Sequence, residues 1–85
     1  MTPDQMARIH AAAFVQDRSW SAEEIADLLA SPLITAFHET GGFALTRLIA
    51  GEAELLTIAV DPAHQKQGIG RSLMERWIAS SADTA

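Results

Sequence analysis

Apolar residues along this chain recur first at helical spacing, then in β-rich runs broken by glycine, then at helical spacing again. Met6, Ile9, Ala13 and Phe14 follow Thr2-Pro3-Asp4, and proline at or near a first helical position costs nothing, because its missing N–H is one the helix leaves unbonded anyway. This pattern predicts a first amphipathic helix, interrupted at Arg18-Ser19. Trp20-Ser21-Ala22-Glu23-Glu24-Ile25 then reads as a second start. Ser21 can cap it, Glu24 completes a capping box, and Trp20 can pack on Ile25 as a hydrophobic staple. Ile25, Leu28 and Leu29 form its apolar stripe, and Pro32 stops it.

From Leu33 the period changes. Ile34-Thr35-Ala36-Phe37-His38 is β-branched and aromatic, and Glu39-Thr40-Gly41-Gly42 is a turn cluster. Phe43 to Ile49 predicts a second strand, Ala50-Gly51-Glu52 a short turn, and Ala53 to Val60 a third strand closed by Asp61-Pro62. Strands joined by turns this tight form an antiparallel meander. Leu73, Met74, Trp77 and Ile78 restore helical spacing, with Trp77 expected in the core, and the helix is expected to fade into Ser80-Ser81-Ala82-Asp83-Thr84-Ala85. The expected order is ααβββα, a mixed α/β (α+β) fold in a single unit. Its last helix packs on three strands and leaves a long strand edge uncovered, an edge that can pair two copies into a homodimer.

Composition narrows the function. A chain of 85 residues with 48% apolar content supports one small domain with a thin core. It has no cysteine, which removes disulfides, thiolate metal cages and a cysteine nucleophile and fits a reducing compartment such as the cytoplasm. No apolar run approaches the ~20 residues of a membrane span. Six Lys plus Arg stand against eleven Asp plus Glu, a formal charge of −5, which argues against non-specific binding to nucleic acid or anionic membranes. No histidine pair has metal-ligand spacing, so no metal is expected. Any anion site must be local.

One segment supplies it. Val60-Asp61-Pro62-Ala63-His64-Gln65-Lys66-Gln67-Gly68-Ile69-Gly70-Arg71-Ser72-Leu73 runs from a strand end through a two-glycine loop into a helix start. A helix N-terminus presents unpaired N–H groups and a partial positive charge, and glycines let the backbone approach a ligand. Lys66 and Arg71 add formal charge, with no acidic residue between Asp61 and Glu75. The same glycines also suit a plain left-handed turn into a helix. A dinucleotide fingerprint would need glycine where Leu73 stands, and a P-loop would need G-K-[ST] after a four-residue gap; neither fits.

Gln65-Lys66-Gln67-Gly68-Ile69-Gly70 after Val60-Asp61-Pro62 resembles the [Q/R]-x-x-G-x-[G/A] signature of the GNAT superfamily of acetyl-CoA-dependent N-acetyltransferases. Glu52 to Val60 and Ser19-Trp20-Ser21 further resemble the branch that acetylates the N-terminal alanine of a ribosomal protein. The resemblance implies that residues 1–85 are the N-terminal part of one GNAT domain, with the C-terminal half absent. A further strand, helix and hairpin would carry that family's glutamate base and its tyrosine acid, and this chain has no tyrosine. It also implies that Ile58, Ala59 and Val60 lie along the pantetheine arm of acetyl-CoA, and that the amides from Gln65 or Lys66 through Gln67, Gly68, Ile69 and Gly70 to Arg71 or Ser72 hold its pyrophosphate. Acetyl-CoA is then a substrate and the acceptor a primary amine, with a protein N-terminus first among the choices. Alternatives from other classes are a module that binds acetyl-CoA or a nucleotide without turnover, and a structural fragment that dimerises through its strand edge.

Other residues carry weaker signals. Glu54, two residues from Glu52 on one strand face, is the candidate acid–base group, against the plainer role of a solvent-facing edge residue. His64 can touch a phosphate or ribose but is more simply a solvated loop histidine, and His10 and His38 are expected to be structural or exposed. Trp20 can line an acceptor groove, although its staple position favours packing.

Overall fold

A computed structural model describes residues 1–14 and 20–84, with side chains through residue 80. The expected break at Arg18-Ser19, the Ser19 of the Ser19-Trp20-Ser21 match and Ala85 lie outside the described residues. The elements are α1 (Pro3–Ala13), α2 (Ala22–Leu29), β1 (Ile34–Glu39), β2 (Gly42–Ile49), β3 (Glu52–Val60), a 3-10 turn (Pro62–His64) and α3 (Ile69–Thr84). This is the expected order ααβββα with one short turn added.

Both early helices begin with reciprocal caps. Ser21 Oγ accepts from the Glu24 N–H at 3.1 Å while Glu24 Oε1 accepts from the Ser21 N–H at 3.3 Å. Thr2 and Gln5 form a second such box, with N–H···O distances of 3.2 and 2.8 Å, that the helix-start signals above do not assign. α2 ends at Leu29, with Ala30 as C-cap, before Pro32 can clash with it.

The strands form one antiparallel sheet in the order β1-β2-β3. Ala50 and Gly51 both have positive φ, 52° and 81°, the backbone of the two-residue turn that suits the sheet's right-handed twist. β1 pairs with β2 from Ile34↔Arg47 to Glu39↔Gly42. β3 pairs from Gly42↔Val60 to Ile49↔Glu52, with a shift that leaves Leu56 as an extra residue between Leu55 and Thr57.

Alternation along β2 divides the core. Phe43 and Leu45 turn toward α1 and α2, where they join Met6 and Ile25. The intervening Gly42, Ala44 and Thr46 are also buried, on the side where α3 packs across all three strands. His10, expected to be structural or exposed, is 4% exposed. Its ring stacks on Trp20 at 5.2 Å and lies against Phe14 at 4.7 Å, and its Nδ1 accepts from the Trp20 N–H at 3.4 Å. His10 thereby ties α1 to the entry of α2, and Trp20 packs on His10 as well as on the Ile25 core. On α3, Leu73 is fully buried and Trp77 half-buried, whereas Ile78, expected in the apolar stripe, is 60% exposed. The helix also runs to Thr84 instead of fading at Ser80, because alanines at 79 and 82 propagate a helix at little cost once it is nucleated.

Candidate functional site

Val60 delivers the chain to a loop whose first half is tied down. The Asp61 N–H donates to Gly41 O at 2.8 Å, and Asp61 Oδ1 accepts from the Ala63 N–H at 2.9 Å. The N–H groups of His64 and Gln65 close the 3-10 turn onto Asp61 O and Pro62 O. Gln65 Nε2 then reaches back to Val60 O at 3.2 Å. The Gln65 amide and side chain are thus both spent inside the protein.

The second half is open. Lys66 and Gly68 take positive φ, 66° and 80°, and for a non-glycine residue such as Lys66 this conformation costs about 1–2 kcal/mol. A Cβ at Gly68 would meet nothing within 4 Å, so backbone conformation alone calls for glycine there. The first full bond of α3 runs from the Ser72 N–H to Gly68 O at 2.9 Å. The N–H groups of Ile69, Gly70 and Arg71 precede it, and among the described residues none has an acceptor. Gly68 has no side chain to cap them, so they and the positive end of the helix remain available to an anion. Lys66 lies on the same loop. Arg71 Nε contacts Glu75 Oε1 at 3.0 Å, with side chains 85% and 64% exposed, an ion pair too solvated to withdraw the guanidinium from a ligand.

The predicted residues from Ile58 to Arg71 come together at one end of the sheet. Ala59 is buried, and Ile58 and Val60 are half-buried on an edge strand whose outward N–H and C=O groups face away from β2. Ser72 sits differently. Its N–H is taken by Gly68, and its Oγ donates to Glu39 Oε1 at 2.8 Å. Arg76 Nη1 donates to the same carboxylate at 3.3 Å and to His38 O at 2.9 Å, while its guanidinium lies 5.7 Å from the Phe37 ring centre. The Ser72 hydroxyl, aided by Arg76, holds the Glu39 carboxyl below the usual glutamate range against the opposing effect of burial.

Glu54 lies away from this loop, six residues before Val60 on β3 and so ~20 Å along the strand. It is paired with the Arg47 guanidinium on the neighbouring strand. Both belong to the opposite end of the sheet, where an open groove of about 620 Å³ is lined by Trp20, Glu24, Asp27, Leu28, Arg47 and Leu56 among others. The loop and the groove are therefore separate features. Among the described residues no His/Cys/Asp/Glu group is placed to hold a metal, and no helix is long and apolar enough to cross a membrane.

Two contacts lay beyond the reach of local pattern. The His64 ring stands against Gly41, with its Nδ1 buried and without a partner, and Ile69 stands against Gly42. The Gly41-Gly42 pair was their only trace in the sequence, and a hairpin turn accounts for that pair just as well.

Residues 15–84 match the family model of the acetyltransferase (GNAT) domain. The [ribosomal protein bS18]-alanine N-acetyltransferases of Escherichia coli K12 and Salmonella typhimurium are each 44% identical to this chain over 45 residues, 53% of this chain and 30% of theirs. The crystal structure of the E. coli ribosomal-protein-S18-alanine N-acetyltransferase superposes with a TM-score of 0.78 at 31% identity, over 93% of this chain and 52% of that one. The chain thus spans about half the length of that solved relative and matches less than a third of the curated ones.

Proposed function

Because the chain belongs to the GNAT acetyltransferase family, we propose that it forms the acetyl-CoA-binding part of an N-acetyltransferase whose acceptor is a protein N-terminal amine. In this reading residues 1–85 correspond to the N-terminal part of one such domain. The observation that carries it is the uncapped start of α3, where the Ile69, Gly70 and Arg71 amides stand open beside the free edge of β3. These amides, with those of Lys66, Gln67 and Gly68, would hold the pyrophosphate, and Lys66 and Arg71 would add charge. The outward backbone of Ile58 to Val60 would run beside the pantetheine arm.

Acetyl transfer forms a bond between the acceptor nitrogen and the acyl carbon, breaks the bond from that carbon to sulfur, and releases the thiol after the amine has lost a proton. The residues of this chain contribute chiefly by position: fixing the diphosphate and the arm holds the thioester where an incoming amine meets it. The groove between α2 and the sheet, with Glu24, Asp27 and Trp20 among its lining residues, suits a cationic acceptor segment. The relatives are named as alanine N-acetyltransferases of a ribosomal protein, so an alanine-initiated peptide is the first acceptor to try, and in this reading the reaction would run in the cytoplasm. Glu54, engaged by Arg47, is reserved as an acid–base group only if transfer depends on it.

The test is a calorimetric titration of the protein with acetyl-CoA, with ADP and NAD as competitors, followed by transfer assays on an alanine-initiated peptide and its N-terminally blocked form. Binding that ADP competes and NAD does not, with transfer to the free amine only, is expected. A folded protein that takes up no acetyl-CoA would overturn the reading.

A further inference from the structure

We infer that the Gly41-Gly42 pair is a two-point seat that positions the loop, and that His64 acts there through the shape of its ring and not through a hydrogen bond of its Nδ1. A Cβ at Gly41 would lie 2.5 Å from His64 Cγ and 2.6 Å from Nδ1, and one at Gly42 would lie 2.7 Å from Ile69 Cγ2. His64 and Ile69 bracket residues 65–68, so two side chains peg the ends of the open half-loop to adjacent residues of one hairpin. The Asp61 N–H on Gly41 O adds a backbone bond to the same seat.

The seat is rigid because Gly42 is buried in β2, the central strand. Its two residues lack side chains for distinct reasons. Gly41 has φ +78°, which disfavours any other residue, whereas Gly42 has no such φ and is glycine because Ile69 and Ala59 O occupy the space. His64 Nδ1 faces the hairpin, is buried and makes no hydrogen bond. A ring chosen for its nitrogens would not leave this one unsatisfied, and a hydrocarbon ring of the same shape would carry no such cost. His64 is therefore a positioning residue, which through its seat on Gly41 sets where the 66–71 amides stand.

The experiment compares wild type, His64→Ala, His64→Phe and Gly41→Ala by amide hydrogen exchange of residues 61–71 in the unliganded protein and by acetyl-CoA titration. The acetyl-CoA arm rests on the function proposed above. His64→Ala and Gly41→Ala should speed exchange of the Asp61 N–H, leave protection of α1 and α2 unchanged, and weaken acetyl-CoA binding about tenfold or more, as misplacement of a binding group does. His64→Phe should match wild type in both measurements. The inference is overturned if His64→Phe is as damaging as His64→Ala, which would mean that an apolar ring at this place does not suffice, or if His64→Ala changes nothing. Should wild type itself bind no acetyl-CoA, the proposed function fails, and the exchange measurements alone still decide the seat.

Discussion

α2 and α3 each begin with backbone N–H groups that no helical carbonyl can take, and the two helices dispose of them in opposite ways. At α2, Ser21 and Glu24 cap one another's backbone, and Glu23 and Glu24 place acid in the first turn. At α3, the residue before the helix is a glycine at φ +80°, the first turn holds no acid, and three N–H groups stand open. α2 satisfies its own start from within the chain. The bare start of α3, beside a lysine and an arginine, is the feature the proposed diphosphate site would use, and the contrast lies within one chain under one set of folding constraints.

Forcing the open start out of shape should have the largest effect. Gly68→Val places a β-branched residue where only backbone conformation is at issue, since a Cβ there meets nothing within 4 Å. The strain of about 1–3 kcal/mol corresponds to roughly 5- to 150-fold in acetyl-CoA affinity if binding must hold that conformation. Titration measures it, with circular dichroism checking that the helices persist; wild-type affinity would show that the loop geometry is not used. The matching change at the closed start is Ser21→Ala. It should lower stability by about 1 kcal/mol, roughly 4–8 °C in Tm for a domain of this size, and leave acetyl-CoA affinity alone. A loss of affinity there would erase the distinction between the two starts.

Much of this contrast can be read from residues close in sequence. Ser21 and Glu24 are three apart, as are Thr2 and Gln5, and glycine-bounded β-branched runs place all three strands within a residue or two of their observed limits. The two-glycine loop was visible for the same reason. Contacts between distant residues were not: the Leu56 bulge depends on how β3 pairs with β2, and the Gly41–His64 contact spans more than twenty residues of chain. The bonds that withdraw Gln65 and Ser72 from the loop's free amides likewise need the folded strand end and Glu39. Apolar spacing set Ile78 in the stripe of α3, where it is 60% exposed, because spacing registers a stripe and not whether anything covers it.

Gly70→Ala separates stability from binding at the open start. Gly70 has no positive φ, and its Cβ would make an ordinary 3.8 Å contact with Val60 Cγ2. Helix propensity therefore predicts a gain of about 0.5–1 kcal/mol, while the added methyl narrows the approach to an open amide. Thermal melting should rise as acetyl-CoA affinity falls, a trade that no change at Ser21 can produce. If both rise together, the amide of Gly70 does not meet the ligand.

The smallest effect concerns how α3 is held while its amides stay open. Having no acid in its first turn, it borrows Glu39 from β1, which accepts from Ser72 Oγ at 2.8 Å and from Arg76 at 3.3 Å. The Ser72 hydroxyl foremost, then Arg76, lower the folded-state pKa of this carboxyl. The charged form is thus favoured by folding, so its contribution is present above the unfolded glutamate value and is lost as pH falls through the lower folded value. Glu39→Gln should accordingly melt slightly below wild type near neutral pH, with the gap closing on acidification below about pH 4, near the ordinary glutamate value; a gap independent of pH would mean that the charge contributes nothing. The side chain is 35% exposed, so solvent keeps the effect small. Acetyl-CoA affinity supplies the sharper reading. A carboxylate that reached the open amides would compete with an anionic ligand, and its removal would tighten binding. Here it is spent on a hydroxyl and a guanidinium, so Glu39→Gln should not tighten binding at any pH.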